Sequence, residues 1–539
     1  MTQTSIVRSL ISLCMEHPVQ TIWTLIFITI TYFLILRPFI LSPLRMIPGP
    51  PLYKITKLLS YNDQRVESRN VKLNEWHAKY GPVIQVGPNE ISLSSLDHLK
   101  RVYIKQNLPK SSFYAQFNNF DELNAFSILD RRDHITRKKL MTKIYTKTNI
   151  FQQDSQRHIN TKVGNLLQFT EQSLGNSIDV YEMFNSLAMD VVTYYEVGSK
   201  FSTNLLLDLK QRKVIKAFRA SSSMWFWTTL VPSLWSWIAD DTTTRLSNEC
   251  REWSKAKFLE AYQDLEQNGD TMEMSLVRQL WSIGMSKWAI GSEVFDHVAA
   301  GHETTGTSLA FCTWQLSRPI NKHIQDKIYN ELCDHFGSTP LSYLPLDEVD
   351  KLPYVDAVIS ETTRLHAAIP GSEPRIVDSK DGYSVTLPNG TSVNLPQGTI
   401  VSVQPWSIHN DPSIFVHPEQ FHPERWLKQE DETDDDFKTR LKIMRSAMFA
   451  FGAGNRMCLG MNVAITEMKL CIAQLYWRYN SHVSSDWCNR LSDEPAMMGT
   501  HGIDMKNKHN LTDVQLMSMA DSYTSRPLFD ECWLTWEER

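Results

Sequence analysis

The chain has 539 residues, of which 42% are hydrophobic and 21% are charged, and its formal net charge is −5. This length allows a large hydrophobic core, and the composition is that of a globular protein rather than a disordered or fibrous one. The mildly acidic balance argues against a nucleic-acid partner. Eight cysteines are scattered without a Cys-x-x-Cys pair, which predicts reduced, mostly buried thiols rather than a disulfide framework.

An apolar stretch without charged residues lies near the N-terminus, at residues 21–36. Together with the apolar residues after Arg37 it is long enough to cross a bilayer. One alternative is a cleaved signal peptide, but the stretch starts late and lacks a small-residue cleavage site. The other alternative is a buried core helix. We predict an uncleaved transmembrane anchor at 21–41, preceded by a lumenal segment at 1–20.

Positive charge is concentrated after this span. The basic residues that follow it are Arg37, Arg45, Lys54 and Lys57. Before the span there is only Arg8, which is offset by Glu16, so the positive-inside rule places the main body in the cytoplasm. The run Ile47-Pro48-Gly49-Pro50-Pro51 predicts a stiff, non-helical hinge at 42–51. The rest of the chain, 52–539, forms the main domain.

Helical patterns dominate beyond the hinge. One helix (71–80) and two strands paired through a Gly-Pro-Asn turn (83–86 and 91–93) are predicted first. From about 130 to 370 the pattern is mostly helical, and short strands return between about 375 and 405, where Asn389-Gly390 predicts a hairpin turn. The acidic run 428–438 predicts a solvated loop, and the tail 481–539 is weakly patterned. The expected architecture is mainly α with a small β region.

Residues 292–316 predict one long, largely apolar helix, which contains Ala300-Gly301-His302-Glu303-Thr304-Thr305. A glycine and several polar residues weaken the middle of a helix and require a reason. An acid beside an alcohol can form a short proton path. A zinc-protease His-Glu-x-x-His motif is excluded because Gly306 stands at the second histidine position. A helix kink without chemistry is the alternative.

Two further helical patterns carry charged groups. Residues 353–366 bring Glu361 and Arg364 onto one helix face, a pair that on its own is commonly a surface salt bridge. The segment 133–139 is strongly basic, which on its own is compatible with a solvated helix face.

The most informative segment is Phe451-Gly452-Ala453-Gly454-Asn455-Arg456-Met457-Cys458-Leu459-Gly460, which precedes a helical pattern at 461–476. The glycines let the backbone approach a bulky group. A helix N-terminus lowers a thiol pKa and favours the metal-binding thiolate. Arg456 can hold an anionic group. These features predict a thiolate ligand to a flat, carboxylate-bearing metal cofactor, and a structural cysteine in a glycine-rich turn is the alternative.

This segment matches Phe-x-x-Gly-x-Arg-x-Cys-x-Gly at each fixed position and resembles the haem-binding loop of the cytochrome P-450 superfamily. Residues 300–305 match the family pattern Ala/Gly-Gly-x-Asp/Glu-Thr-Thr/Ser. The pair Glu361 and Arg364, followed by Pro423-Glu424-Arg425-Trp426, matches the Glu-x-x-Arg and Pro-Glu-Arg motifs. The resemblance runs from the anchor to about Trp477. It implies a cytochrome P-450 fold preceded by one N-terminal transmembrane helix.

The resemblance also implies a role for each matched residue. Cys458 is expected to be the axial ligand of the iron of haem b, Glu303 to relay protons and Thr304 to orient bound oxygen. Glu361, Arg364 and Arg425 are expected to form a structural ion-pair network. The other residues expected to contact haem are Gly301, Phe451, Gly454, Arg375, Arg456, His134 and Lys138.

Two parts of the resemblance leave the assignment open. In the basic helix, His134 stands where the family has tryptophan and Lys138 where it has arginine, with Arg137 as an alternative, so the haem propionate contact stays undecided. Three segments are candidates for binding substrate. They are the aromatic residues Phe113, Tyr114, Phe117, Phe120 and Phe126, the stretch Ala367-Ala368-Ile369-Pro370, and the tryptophan-rich stretch 224–238.

The predicted function is that of a membrane-anchored, fungal-type haem-thiolate monooxygenase. It inserts one atom of O₂ into an apolar small molecule, a terpenoid, polyketide or alkaloid of secondary metabolism. Electrons come from NADPH through a partner flavoprotein reductase, with a small cytochrome as an alternative donor. The expected location is the endoplasmic reticulum membrane, with one span and a cytoplasmic catalytic domain. The alternatives are an isomerase or dehydratase of the same fold that needs no reductase, and a non-enzymatic haem-binding sensor.

Overall fold

The computed structural model describes residues 18–223, 227, 234, 237, 240–269 and 273–539. Helices dominate these residues, and short strands form small sheets, which confirms the predicted fold class. The α-helices up to residue 282 are α1 Pro18–Thr31, α2 Pro51–Ile55, α3 Leu58–Arg65, α4 Arg69–Tyr80, α5 Leu96–Leu99, α6 Arg131–Met141, α7 Lys147–Ile150, α8 Gln153–Glu171, α9 Val180–Val197, α10 Lys213–Ser223, α11 Asp241–Asn268 and α12 Leu276–Ser282. The later ones are α13 Lys287–Ser317, α14 Lys322–Phe336, α15 Leu346–Val349, α16 Pro353–Leu365, α17 Pro405–His409, α18 Asp434–Ala447, α19 Met461–Arg478 and α20 Asp513–Leu516.

The long helix α13 passes through the centre of the domain. It has 31 residues and extends beyond the predicted span at both ends. Most of its residues are buried, which explains why its sequence is apolar on nearly all sides. It packs against α9, and a Cβ atom at Gly306 would lie 2.7 Å from the backbone of Asn185 on that helix. Glycine at 306 therefore allows the two helices to approach closely.

Short strands form a sheet at one side of the helical body, in the order β1–β2–β7–β4. The strands up to residue 395 are β1 Val83–Gly87, β2 Glu90–Leu93, β3 Ser177–Asp179, β4 Arg375–Ile376, β5 Tyr383–Thr386 and β6 Ser392–Leu395, and the later ones are β7 Ile400–Val403, β8 Tyr479–Val483 and β9 Trp533–Glu538. β2 pairs parallel with β7 and antiparallel with β1. β5 and β6 form an antiparallel hairpin, and Gly390 in its turn has a φ of +81°, as the Asn-Gly signal predicts.

The C-terminal tail is more ordered than its sequence pattern suggests. Its last strand, β9, pairs antiparallel with both β3 and β8. Leu534 and Trp536 are fully buried between their more exposed neighbours. The alternation of buried and exposed residues is short, and the partner strands lie far away in sequence, so no local signal identifies this strand.

The predicted anchor is one continuous helix from Pro18 to Leu41, α-helical to Thr31 and π-helical afterwards. It is 24 residues long, and its most apolar window has a mean hydropathy of 2.0 with 6% of that window buried. Length and composition therefore suit a membrane span. Residues 1–17 lie outside the described part of the chain, so most of the predicted segment 1–20 is not described.

The predicted hinge at 42–51 is docked onto the domain. The amide of Gln85 donates to the carbonyl of Pro48 at 2.7 Å, and Lys54 Nζ donates to the carbonyl of Ile47 at 2.6 Å. Ile47 is fully buried. A Cβ at Gly49 would lie 2.2 Å from the carbonyl oxygen of Gln85, which explains the glycine between two prolines.

Two other sequence predictions concern the acidic segment 428–438 and the cysteines, and the first of them is partly wrong. The loop predicted at 428–438 is wrong for its second half, because α18 begins at Asp434. Thr433 caps this helix by accepting a hydrogen bond from the amide of Asp436 at 3.2 Å, and three aspartates in its first turn complement the helix dipole. The seven cysteines within the described residues are all free, and five of them are buried, as expected for reduced thiols.

Candidate active site

The loop that carries Cys458 has a tightly constrained backbone. The amide of Cys458 donates to the carbonyl of Phe451 at 2.8 Å, and Gly452 and Gly454 have φ values of +68° and +66°. A Cβ at Gly454 would lie 2.2 Å from the carbonyl oxygen of Tyr103. Phe451 and Gly452 line an internal cavity, whereas Gly454 is packed against Tyr103. Gly454 therefore shapes the loop, in contrast to the cofactor contact predicted for it.

Cys458 faces the same cavity and is accessible from it. Burial raises the pKa of its thiol, while the amides of Gly460 and Met461 and the charge of Lys138 oppose this rise. The amides at the start of α19 therefore act on the Cys458 thiol in the predicted direction, and burial sets the net direction of its pKa. A metal ion that replaces the thiol proton removes this penalty.

The cavity is large and enclosed by several elements. It contains about 1660 Å³ of atom-free space, including the space at its mouth. Its walls come from α6, α9, α13, residues 363–375, the Cys458 loop and the first half of α19. Residues from widely separated parts of the chain therefore surround one space that opens to the outside.

Basic side chains are gathered on the cavity wall. They are Lys110, His134, Lys138, His297, Arg375 and Arg456. Arg456 donates to the carbonyls of Ile128 and Leu129 at 2.6 and 2.9 Å. Arg375 is almost completely buried and donates to Tyr114 Oη at 3.3 Å.

Lys110 is a member of this group that the sequence analysis missed. It donates to the carbonyl of Phe126 at 2.6 Å and lies over the rings of Tyr114 and Phe126. Burial lowers the pKa of Lys110 well below its usual value, and the charges of Arg375 and Arg456 lower it further. These cations repel one another in the enclosed space. An anionic ligand with more than one carboxylate would compensate their charge, and the site fits such a group.

The structure distinguishes between the two candidate cations of α6. Lys138 Nζ donates to the carbonyls of Asn455 and Met457 in the Cys458 loop, at 3.0 and 2.5 Å, and it lines the cavity. Arg137 instead donates to Glu293 Oε1 at 3.0 Å. Lys138 is therefore the residue in position to contact a cofactor carboxylate.

His134 also lines the cavity. Its Nδ1 atom is buried and has no hydrogen-bond partner among the described residues. Burial lowers the pKa of His134 to about 3, so its imidazole is neutral and can donate or accept one hydrogen bond there. An unsatisfied polar atom in the wall is consistent with a group that occupies the cavity.

The six-residue motif of α13 is divided between two sides of the helix. Thr304 lines the cavity and its hydroxyl donates to the carbonyl of Ala300 at 2.8 Å. Gly301 also lines it, and a Cβ there would lie 2.6 Å from Val192 Cγ2, so the glycine makes room for a neighbouring wall residue. Glu303 lies outside the cavity wall.

The charge of Glu303 acts on Tyr181, Cys250 and Arg526. Successive helix residues point in directions about 100° apart, so an acid and an alcohol adjacent in sequence do not share a face. The structure therefore places Glu303 away from the cavity that Thr304 lines, and the short proton path through these two residues stays a prediction.

A buried acid–histidine network, also missed from the sequence, closes the wall near α9. Tyr145 Oη donates to Glu196 Oε1 and lies 2.8 Å from His297 Nδ1. His297 Nδ1 lies 3.4 Å from Glu196 Oε2. Burial alone would lower the pKa of His297, but Glu196 and Glu293 raise it to about 9. His297 is therefore a charged imidazolium between carboxylates. In the sequence, only the four-residue spacing of Glu293 and His297 on α13 could have indicated this network.

Two of the three predicted substrate segments contribute to the cavity. Tyr114, Phe126, Ala368 and Ile369 line it. The stretch 224–238 lies almost entirely outside the described residues. The tail, which was not predicted to contribute, supplies Tyr523 to the wall.

Tyr523 also lines a second cavity, together with Lys57, Tyr61 and Phe113 next to the hinge. The ring of Tyr523 packs against Phe113 and Phe117, with centroids 5.5 and 5.7 Å apart. The two cavities therefore meet at an aromatic cluster between the hinge side and the interior.

The structure brings Glu361, Arg364 and Arg425 together in a fully enclosed network. Arg364 Nη2 lies 2.7 Å from Glu361 Oε1, and Arg425 Nε lies 3.0 Å from the same oxygen. The amide of His422 and the indole of Trp426 also donate to this carboxylate, each at 3.0 Å. Burial alone would raise the pKa of Glu361, but Arg364 and Arg425 hold it below its usual value. The network ties α16 to the segment that follows β7.

An accessible thiol, part of the polar stretch of a long helix and several cations line one cavity, and this combination is that of a haem-thiolate protein. The model of the cytochrome P450 family matches residues 47–507, and the chain belongs to this family. The residues present fit haem b, because one cavity is lined by a cysteine that can ligate iron and by cations that can pair with carboxylates. The protein is a cytochrome P450 monooxygenase that binds haem through a cysteine thiolate, and it requires a redox partner and hydrophobic substrates.

Its relatives are fungal enzymes of low identity. Cytochrome P450 monooxygenase FGM1 of Gibberella zeae is 25% identical over 477 residues, covering 83% of this chain and 88% of that protein. Cytochrome P450 monooxygenase hkm5 of Aspergillus hancockii is 26% identical over 495 residues, with 85% and 88% covered. Averantin hydroxylase of Dothistroma septosporum is 26% identical over 456 residues, with 82% and 81% covered.

Proposed function

We propose that this protein inserts one atom of O₂ into an apolar small molecule in a step of secondary metabolite biosynthesis, with electrons from NADPH delivered by a flavoprotein reductase. The observation that carries this proposal is that Cys458 and Thr304 face one cavity whose wall also carries a group of cations. The name of the hydroxylase relative supports small-molecule oxidation. The chain has no flavin or nicotinamide motif of its own, which supports an external reductase.

We further propose a single-pass arrangement in the endoplasmic reticulum membrane. Residues 1–20 are lumenal, 21–41 span the bilayer, 42–51 connect, and 52–539 form the cytoplasmic catalytic domain. The apolar helix Pro18–Leu41 and the basic residues after it support this topology. The second cavity is lined by Lys57 and Tyr61, which follow the hinge closely in sequence, and this supports an entrance on that side of the domain.

Haem, when bound, supplies the iron at which dioxygen is reduced and its O–O bond is cleaved. Cys458 provides the thiolate that ligates the iron and donates electron density to it. Lys138, Arg375 and Arg456 neutralise the propionates and so fix the orientation of the cofactor. Thr304 Oγ1 holds a proton at the cavity surface and can pass it inward. The aromatic residues Tyr114 and Phe126 exclude water from the substrate space.

The test is the absorption spectrum of the purified, reduced, carbon-monoxide-bound protein, followed by turnover with and without the reductase. We expect the strongly red-shifted Soret band of a thiolate-ligated haem and product formation that depends on NADPH and reductase. A thiolate band with reductase-independent turnover of a peroxide would identify an isomerase or dehydratase instead. A histidine-type or thiol-type band from intact protein would overturn the proposal.

Thr304→Ala separates electron consumption from product formation. Because the substitution removes the hydroxyl that faces the cavity, we expect haem binding to be retained while product formed per NADPH falls by roughly a hundredfold, the lower end of what a positioned proton-transfer group contributes. The missing product appears as hydrogen peroxide or water. Thr304→Ser keeps the hydroxyl and should restore most of the coupling. Equal coupling in the wild-type and alanine proteins would remove Thr304 from the proton path.

A further inference from the structure

Asp296 is a carboxylate of the cavity wall that the roles described above do not use. It lies on α13 with Ala300, Thr304 and Ser308, and all four residues line the cavity. Residues spaced by four positions share one face of a helix, so they form a single stripe. Asp296 is eight residues before Thr304, which corresponds to about 12 Å along the helix axis at roughly 1.5 Å per residue.

Within the described part of the chain, no hydrogen bond or ion pair reaches the Asp296 carboxylate. The charged groups that act on it are His297, Glu293, Lys110 and Glu196. The two cations among them are engaged elsewhere. Lys110 donates to the carbonyl of Phe126, and His297 pairs with Glu196. Asp296 therefore lacks the direct cationic partner that an enclosed carboxylate normally has.

The other acids of the cavity wall differ from Asp296. Glu373 lies 3.4 Å from Arg375 Nη2, and Glu196 accepts from Tyr145. Glu467 also has a buried carboxylate oxygen without a partner among the described residues, but it lies on α19, the helix that follows the Cys458 loop, and not on the helix that carries Thr304. Asp296 is on the helix that carries Thr304 and is the acid available to the substrate space.

Enclosing a carboxylate without a cationic partner is unfavourable in free energy. A ligand bound in the cavity can supply the missing positive charge. Burial raises the pKa of Asp296 to about 7, so a bound cation would restore its charged form. Tyr114, Phe126 and Tyr523 line the same cavity and give it an apolar aromatic surface, although Lys110 already lies over the rings of Tyr114 and Phe126. A hydrophobic cation therefore complements this part of the wall in both charge and surface.

We propose that Asp296 binds a positively charged nitrogen of the substrate, so that the substrates are hydrophobic small molecules with a protonated or quaternary amine. This inference rests on the proposed monooxygenase function and names the substrate class of the same site. The spacing of Asp296 and Thr304 on α13 also limits which carbon of the substrate can be oxidised. The oxidised carbon lies within roughly 12 Å of the nitrogen, the separation of Asp296 and Thr304 along the helix.

The experiment compares two matched ligands on the full-length holoenzyme. One is phenylbutyl trimethylammonium, which has a fixed charge and cannot ligate iron through its nitrogen. The other is its neutral isostere, in which carbon replaces the nitrogen. Dissociation constants are measured by calorimetry and, independently, by the shift of the Soret band. We expect the cation to bind the wild-type protein at least about tenfold more tightly than the isostere, equivalent to about 1.4 kcal/mol.

Asp296→Asn should abolish this preference and leave the affinity for the neutral isostere within about twofold of wild type, while Asp296→Glu should keep the preference. Glu249→Gln removes one charge from an exposed position on α11 and should behave like wild type. Equal affinity of the cation for the wild-type protein and the Asp296→Asn variant would overturn the inference. The thiolate-type spectrum, recorded on each variant, tests the proposed function separately, since it does not depend on which ligand binds.

Discussion

Cys458→Ala is expected to abolish the thiolate-type absorption band of the reduced, carbon-monoxide-bound protein and all monooxygenase turnover. The reason is that Cys458 is the cysteine that lines the same cavity as Thr304, and a thiolate ligand supplies the electron density that favours O–O cleavage. The side chain contacts the cavity rather than a packed core, so we expect the variant to fold. The spectrum and the far-ultraviolet circular dichroism of the purified variant measure the two effects separately.

Cys333→Ala is the matched control for this experiment. Cys333 is also a free cysteine, but it lies partly exposed on α14, away from the cavity. The control variant should keep the wild-type band and turnover. A thiolate-type band that persisted in folded Cys458→Ala protein would assign the ligand to another cysteine.

Glu361→Gln is expected to destabilise the fold by about 3–5 kcal/mol, the usual effect of breaking a buried ion pair. Glu361 and Arg364 are fully buried, so loss of the carboxylate charge leaves Arg364 and Arg425 without compensation. Total stabilities are about 5–15 kcal/mol, and much of the variant should therefore fail to accumulate as soluble, haem-loaded protein. The denaturant midpoint and the haem content per mole of protein measure this effect.

Glu348→Gln provides the comparison for this variant. Glu348 also pairs with Lys351 and His335, but these side chains are about one third to two thirds exposed, and surface pairs contribute about 0–1 kcal/mol. We expect near-wild-type stability there. Glu361 has a pKa held below the usual 4.5, so its contribution is present at neutral pH and is lost as the pH falls through the folded-state value. Equal stability of the two variants would contradict a structural role for Glu361.

The parts of the site that could be predicted are those whose residues are close together in sequence. The Cys458 loop has its glycines, arginine and cysteine within ten positions, and the close approach to Tyr103 requires glycine at 454. The Glu361–Arg364 pair is encoded by one helical turn. In both cases the local backbone alone determines which groups meet.

The rest depended on contacts that no local pattern encodes. Lys110, Glu196 and Tyr523 come from separate parts of the chain and meet only in the folded cavity. The orientation of Glu303 depends on how α13 is rotated against α9, which is set by packing at Gly301 and Gly306. The choice between Arg137 and Lys138 follows from the same kind of rotation of α6. Sequence spacing defines a helix face, and tertiary packing determines which face meets the cofactor.

The docked hinge limits how far the catalytic domain can move from the bilayer. Pro38 and Leu44 are both buried, so the C-terminal end of the apolar helix and the segment that follows it pack against other residues of the protein. The residues between them are few, and an extended chain covers only about 3.5 Å per residue. In the proposed arrangement the tether is therefore about 20 Å at most, so the catalytic domain stays close to the membrane surface and cannot exchange freely between the bilayer and the bulk solvent.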